Sequence, residues 1–159
     1  MRIKNILLLI VFVCLAFGCA STPKTSYTPK ARPTVMDGKP FDAAKDANLR
    51  AEASPDKQDK AKLAKEGIAA ANDCIMKDPE EAGCYYYRAL NTGTYYSAHV
   101  IGYQDGLKDM IKDCEKVIKL NDKFDHGGAY RTIGKIYTDV PETTMKKNGI
   151  TRDLDKALT

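Results

Sequence analysis

The chain has 159 residues, a formal net charge of +4, and 29% charged residues. Lysines and acids are interspersed and nearly balanced, which argues against a nucleic-acid-binding protein. Nine tyrosines, four phenylalanines and no tryptophan favour half-exposed aromatic surfaces over a dry core. The sequence contains no CxxC pair, no Ser-His-acid set and no phosphate-binding glycine loop. It therefore predicts one small domain that is not an enzyme and needs neither a metal nor a cofactor.

The first residues have the features of an export signal. A short basic segment precedes an apolar run over 6–17, which is shorter than the roughly 20 residues of a bilayer-spanning helix. The run ends at Gly18-Cys19, which resembles the bacterial lipobox, in which the cysteine is acylated. We therefore expect a lipoprotein signal peptide over 1–18 and a lipid on Cys19, and the alternative is a secretory signal cleaved at an ordinary site. By resemblance to sorting signals, Ala20 favours the outer membrane.

Residues 19–54 are predicted to form a flexible tether. Prolines recur among Ser, Thr, Lys and Ala, and large apolar residues are few, so the segment can bury little surface. The stretch 41–53 is compatible with a weak helix, but its apolar positions are mostly alanine. We therefore expect the folded domain to cover 55–159.

From Ser54 onward, the spacing of apolar residues predicts an all-α fold. Ser54 and Pro55 suit an N-cap and the first position of a helix. No segment alternates with a period of two, so no strand is expected. The first predicted helix ends near Asp78. The others run from Glu80 to about Gly93, from about Asp105 to Asn121, from about Gly128 to Thr138, and onward from Thr151.

Two stretches of the sequence are alike. CYYYRALNTG (84–93) and GGAYRTIGKIYTDVP (127–141) both place a Tyr-Arg pair before an apolar residue, at a separation typical of helix-pair solenoids. Their pattern resembles the tetratricopeptide repeat, in which each unit is an antiparallel helix pair. The resemblance implies a short α-solenoid of divergent repeats, because Asn91 and Thr94 replace a repeat glycine and tyrosine. The residues expected to pack between helices are Tyr87, Leu90, Tyr130, Ile133, Gly134 and Tyr137.

The lipobox, GYQDGL (102–107) and GGAYRTIGKIYTDVP together resemble the TatT family of lipoproteins. Members of that family are associated with tripartite ATP-independent periplasmic (TRAP) transport systems, and the resemblance covers roughly 61–159. It implies a periplasm-facing outer-membrane lipoprotein that partners a periplasmic substrate-binding protein, and a homo-oligomer with a ligand-conducting pore. The alternative is a general scaffold lipoprotein that holds a peptide segment of another envelope protein.

The last repeat is shorter than the pattern requires. The stretch 153–159 resembles the start of a second helix, and the sequence ends before that helix would be complete. We therefore expect a C-terminally incomplete domain, and the alternative is a half-repeat that caps the array itself.

With the repeat tyrosines packed inward, helical geometry turns other residues toward a concave groove. Arg88 and Arg131 occupy equivalent positions in the two units, which predicts a site for an anionic group. The alternative is that each arginine pairs with a neighbouring acid such as Glu81 or Asp125. The other residues expected in this groove are Tyr85, Thr92, Tyr95, Lys135 and Thr138.

Three cysteines follow the predicted lipid site, and in an oxidising compartment an odd number leaves one unpaired. In the repeat alignment, Cys74 and Cys84 flank the same short connector, so we expect them to form a disulfide. Cys114 would then be a buried free thiol. A bond between Cys84 and Cys114, or three free thiols, are the alternatives.

An aromatic-rich stretch lies between the predicted helices of the first unit. It contains Tyr95, Tyr96, Val100, Ile101 and Tyr103. We expect these residues to pack in the core, and the alternative is that they form the wall of an apolar ligand passage.

The acids and histidines suggest no metal site. Asp105, Asp109 and Asp113 recur every four residues, as on a solvated helix face. His99 and His126 stand in different loops, and we expect each to be a turn or surface residue.

Overall fold

The computed structural model describes residues 37–145 and 147–158, which contain six α-helices and no strand. Neighbouring helices pack in an antiparallel manner, so the predicted all-α fold and short helical solenoid are confirmed. The helices are α1 (Asp42–Ala53), α2 (Lys57–Lys77), α3 (Ala82–Ala98), α4 (Tyr103–Asn121), α5 (Gly128–Asp139) and α6 (Leu154–Ala157), with a 3-10 turn at Phe124–His126. None of the described helices has the length and apolar character that a bilayer-spanning segment needs.

Helix α1 lies inside the stretch that the sequence assigned to the tether, so the predicted boundary after residue 54 is wrong. Ala44, Ala47 and Ala51 are buried against α2 and α3. Just before the helix, the ring of Phe41 stacks on that of Tyr87 with centroids 5.3 Å apart. Because alanine side chains are small, they let helices approach closely, and an alanine stripe becomes a core face.

Helix α2 begins after Asp56 and not after Ser54. The carboxylate of Asp56 accepts hydrogen bonds from the backbone N–H groups of Gln58 and Asp59, at 2.8 and 2.9 Å. Aspartate caps a helix as well as serine does, and the backbone N–H of Ser54 instead donates to the carbonyl of Ala51 at the end of α1.

Helix α3 continues to Ala98, past the predicted end near Gly93. A Cβ atom at Gly93 would lie 2.8 Å from Cε of Met110 in α4, so the end of the Met110 side chain packs against this glycine. Tertiary packing here outweighs the low helix propensity of glycine.

Helices α2 and α3 meet at Gly67 and Asn91. Asn91 is fully buried, and its Nδ2 donates to the carbonyls of Ala44 at 2.9 Å and Tyr87 at 2.7 Å. A Cβ atom at Gly67 would overlap the Asn91 amide. The repeat pattern expects a glycine on α3 at this contact, but the glycine lies on α2, as Gly67. Asn91 takes its place on α3, and the Asn91 amide also binds α1.

Helices α3 and α5 are separated, although α1 and α3 contact each other directly. Helix α4 packs against both α3 and α5, whereas the backbones of α3 and α5 stay apart and these two helices meet through Tyr86 and Gly128. The gap between them is an open groove with α4 along its floor.

The segment after α5 returns to the array at two points. The side-chain amide of Gln104 binds the backbone of Ile150, donating to its carbonyl at 3.1 Å and accepting from its N–H at 2.6 Å. Helix α6 then begins after its N-cap, Asp153, whereas the sequence predicted Thr151 as the N-cap. A Cβ atom at Gly134 would lie 2.9 Å from the carbonyl oxygen of Ala157, so Gly134 allows the close helix contact that the sequence predicted.

Candidate binding groove

Of the three predicted packing tyrosines, Tyr87 packs against the core and Tyr130 does not. Tyr86 is only 5% exposed and is the core tyrosine of α3, whereas Tyr87 lies one residue along the helix and packs beside it. Tyr130 is 45% exposed and the adjacent Ala129 is buried instead, so the inward position predicted for Tyr130 is wrong. Leu90, Ile133, Gly134 and Tyr137 are half-buried.

Arg88 does not face a groove. Its Nε and Nη2 donate to the carboxylate of Asp113 at 2.8 and 2.6 Å, and its Nη1 donates to Oδ1 of Asn72 at 2.9 Å. The hydrogen bond with Asp113 is the main cause that raises the pKa of Arg88. The side chain of Asp113 is 6% exposed, so the predicted solvated acidic face is wrong at this residue. Arg88 joins α3 to α4, and its predicted role in anion binding is wrong.

Arg131 borders the groove but is held by the turn before α5. Its Nη2 donates to the backbone carbonyl of Asp125 at 2.8 Å and to Oδ2 of the same residue at 3.1 Å. The φ angles of Asp125 and His126 are +47° and +54°. Residues other than glycine seldom adopt this left-handed backbone conformation. Tyr86 also donates to Oδ2 of Asp125, at 2.6 Å. The alternative in which Arg131 pairs with Asp125 is therefore confirmed.

The residues predicted for the concave groove do not come together. Tyr85 donates to the carbonyl of Pro79 at 3.1 Å, and Thr92 is buried. The ring of Tyr95 packs on those of Tyr96 and His99, with centroids 4.9 and 5.2 Å apart. Of the predicted set, only Arg131 and Lys135 line the groove; those outside it are Arg88, Tyr85, Thr92, Tyr95 and Thr138.

The groove that the structure does contain has a volume of about 860 Å³. This size lies within the range of small-molecule pockets. One face of α3, the start of α4 and one face of α5 surround it, with Glu52 of α1 and Lys60 of α2 at its rim. Its larger apolar and aromatic lining residues are Tyr86, Leu90, Tyr96, Tyr103, Leu107, Met110 and Ile136.

The aromatic-rich stretch after the first Tyr-Arg pair contributes part of this wall. Tyr96, Val100 and Tyr103 all border the groove. Val100 and Ile101 are 73% and 76% exposed, so the expectation that this stretch is core packing is wrong for those two residues. The alternative, a wall of an apolar passage, fits the three groove residues better.

The rim of the groove carries charges of both signs. Lys135 forms an ion pair with Asp139 at 2.5 Å, and Glu52 accepts a hydrogen bond from the hydroxyl of Thr94 at 2.5 Å. Arg131 is engaged by Asp125. Lys60 also borders the groove, and its ammonium makes no ion pair with any residue that the structure describes. Lys60 is therefore the rim cation best placed to meet an anion from outside.

Sequence reasoning missed most of the groove. Lys60, Leu107, Met110 and Ile136 were not among the residues that the sequence predicted for a groove. No periodicity in the sequence marks these residues as groove residues, because they lie on separate helices that only the fold brings together.

The cysteines behave as predicted. Cys74 and Cys84 form a disulfide, with Cα atoms 5.7 Å apart, and Cys114 is a buried free thiol. His99 and His126 are exposed, as expected. Within the described residues, no group of three or more His, Cys, Asp or Glu side chains is arranged to hold a metal ion. The predicted signal peptide and Cys19 lie outside the described residues.

Neither protein-family models nor curated proteins give a match to this chain.

Proposed function

We propose that this protein is a lipid-anchored binding protein whose groove takes an amphipathic organic acid, as the accessory component of a TRAP transport system. The observation that carries the binding role is the apolar groove of about 860 Å³ between α3 and α5. A soluble protein without a ligand rarely leaves a large contiguous apolar surface open to water.

The lining of the groove indicates the chemistry of the ligand. Leu90, Leu107, Met110 and Ile136 offer an aliphatic surface, on which an apolar body gains about 25 cal/mol per Å² removed from water. Lys60 at the rim supplies a positive charge for a carboxylate or a similar head group. A ligand with an apolar body and one anionic end satisfies both features.

The accessory role in TRAP transport is supported by where the family-like motifs lie. GYQDGL spans Gly102 to Leu107 at the start of α4, with Gly102 in a left-handed conformation at φ +79°. GGAYRTIGKIYTDVP corresponds to α5 and its ends. Both motifs border the groove, so the residues behind the TatT resemblance are those that would meet a ligand.

A pair of matched substitutions on α5 tests the binding role. Thr132 lines the groove and Thr138 does not, yet both hydroxyls donate to the carbonyl four residues earlier, at 2.9 and 2.8 Å. Thr132→Phe should fill the groove, while Thr138→Phe should leave it open. The chain would start at a serine in place of Cys19, so that no acyl group competes with the probe.

The probe is a dansylated eleven-carbon fatty acid, whose fluorescence rises in an apolar site. Wild type and Thr138→Phe should bind it equally, and Thr132→Phe should bind it at least about tenfold more weakly, equivalent to about 1.4 kcal/mol. Equal binding by all three proteins would remove the groove as the ligand site.

The partner is tested separately. In a pull-down from detergent-solubilised envelopes, capture of a TRAP substrate-binding protein supports the accessory role. Capture of an unrelated envelope protein through a peptide segment, with competition between that peptide and the probe, supports the scaffold alternative.

A further inference from the structure

Three exposed aliphatic side chains lie together at one end of the helical array. Val100 and Ile101 form the turn between α3 and α4 and are 73% and 76% exposed. Met145, in the segment after α5, is fully exposed and shares a recess of about 440 Å³ with Val100. We call Val100, Ile101 and Met145 the apolar tip.

The apolar tip is continuous with the groove. Val100 and Tyr103 line both the groove and the recess beside Met145. An apolar surface therefore runs from the floor of the groove to the outermost turn of the array. The fold does not require it, because Ile101 and Met145 belong to no part of the buried core.

We infer that the apolar tip contacts the surface of a lipid bilayer. This inference rests on the proposed function, because it requires the anchor at Cys19 to hold the protein at a membrane. The contact would bring the end of the groove to the lipid surface, from which an amphipathic ligand could enter or leave without crossing water.

The composition and shape of the tip favour lipid over a protein partner. Energetically important residues of protein interfaces are mostly Trp, Tyr and Arg seated in pockets, whereas the tip consists of Val, Ile and Met on a protruding turn. Protruding aliphatic side chains suit a fluid apolar phase, which needs no matching recess. Such a contact is weak when it acts alone, but an anchor keeps the local lipid concentration high and makes it populated.

The predicted anchor point leaves enough chain for this orientation. Helix α1 runs toward the apolar tip, so the described chain starts at the far end of the array, at Asp37. The residues between Cys19 and Asp37 span at most roughly 60 Å. Helix α4, with 19 residues, is roughly 28 Å long. The tip can therefore face the same membrane that holds the anchor.

An environment-sensitive fluorophore placed at the tip tests the inference. Ile101→Cys and Met76→Cys form a matched pair, because both native side chains are 76% exposed. Met76 lies at the opposite end of the array, near the end of α2. Each full-length lipoprotein is labelled with a maleimide fluorophore and reconstituted through its lipid anchor into vesicles, with and without lipids that carry a nitroxide on the acyl chain.

The label at residue 101 should shift its emission to the blue and lose intensity to the nitroxide lipid, and the label at 76 should do neither. The shift should persist at high salt, because an aliphatic contact is not screened. If both labels remain in water while the protein stays bound to the vesicles, the tip contact is wrong and the anchor stands. A blue shift that appears only when envelope protein is added, without lipid quenching, assigns the tip to a protein partner and overturns the inference. Protein that washes off the vesicles overturns both the anchor and the tip contact.

Discussion

Arg88 of α3 and Asp113 of α4 form a two-point ion pair, with both carboxylate oxygens within 2.8 Å of the guanidinium. The acid is almost completely buried and its hydrogen-bond partners are on a different helix. Removing one member of a buried pair leaves the other as an uncompensated charge, which costs more than the pair contributes. The arginine that follows tyrosine in α3 therefore joins α3 to α4 and does not face a groove.

We therefore predict that Arg88→Ala lowers the free energy of unfolding by about 2–3 kcal/mol, below the range for fully buried pairs because Arg88 is partly exposed. Arg131→Ala is the control, since its pair with Asp125 is solvent-exposed and should contribute at most about 1 kcal/mol. Urea denaturation of the two variants measures the difference. Equal losses of unfolding free energy in the two variants would show that the buried carboxylate of Asp113 does not need Arg88 as its partner.

Gly67 and Asn91 should behave as a coupled pair. Gly67→Ala forces a methyl group into the Asn91 amide and should cost about 1–3 kcal/mol. Asn91→Ala removes the hydrogen bond to Ala44 and should cost a similar amount, about 1–3 kcal/mol. The double variant should cost less than the sum, because the added methyl then occupies vacated space. Thermal unfolding of the three variants measures this.

Gly93→Ala is the control for that cycle. The added Cβ atom would meet only the flexible end of the Met110 side chain, so this substitution should hardly change the free energy of unfolding. Additive losses in the Gly67 and Asn91 cycle would contradict the proposed contact.

The disulfide and the free thiol should differ sharply in reactivity. Reducing the bond between Cys74 and Cys84 should lower the free energy of unfolding by roughly 2–3 kcal/mol in the chain-entropy account. Cys114 should resist maleimide in the folded protein at pH 8, because burial raises the pKa of its thiol to about 12. Urea denaturation with and without reductant tests the first statement. Mass spectrometry of maleimide-treated protein before and after unfolding tests the second, and labelling of folded Cys114 would contradict it.

The protein should lose stability at alkaline pH. Burial raises the pKa of Cys114 from 9.0 to about 12 and that of Tyr87 from 10.0 to about 12, and it also raises the pKa of Tyr86. The folded state therefore keeps these groups protonated where the unfolded state releases protons. Their contribution is complete below about pH 9 and is lost as the pH rises toward 12.

Two tyrosine variants isolate this effect. Tyr87→Phe removes one half-buried phenol and should flatten the fall of unfolding free energy above pH 10. Tyr130→Phe is the matched control, because it removes the same hydroxyl group at an exposed position. Chemical denaturation at a series of pH values provides the measurement, and identical slopes for the two variants would contradict the assignment to Tyr87.

Cys19 lies outside the described residues, and its acylation stays a prediction. Cys19→Ser should prevent palmitate incorporation and leave the protein in the soluble periplasmic fraction or unprocessed, because two or more acyl chains are what make such anchoring stable. Fractionation and palmitate labelling test this. A mutant protein that still takes up palmitate and floats with outer membranes would refute the lipobox assignment.

The sequence alone determined the all-α class and the positions of α4 and α5, and it predicted the disulfide. Helical periodicity is a local property, and it located α4 within two residues of Tyr103–Asn121 and α5 within one residue of Gly128–Asp139. The pairing of Cys74 with Cys84 followed from a short connector between two helices, and short connectors leave few geometries.

Tertiary structure decided which face of each helix is buried and where the groove lies. A repeat pattern fixes side-chain spacing along one helix but not the distance to the next, and α5 stands apart from α3. That separation opens the apolar groove that Arg131 and Lys135 border. The sequence also could not decide whether the alanines of α1 are buried, because a small side chain is buried or exposed according to what packs against it. Only the positions of the neighbouring helices supply that information.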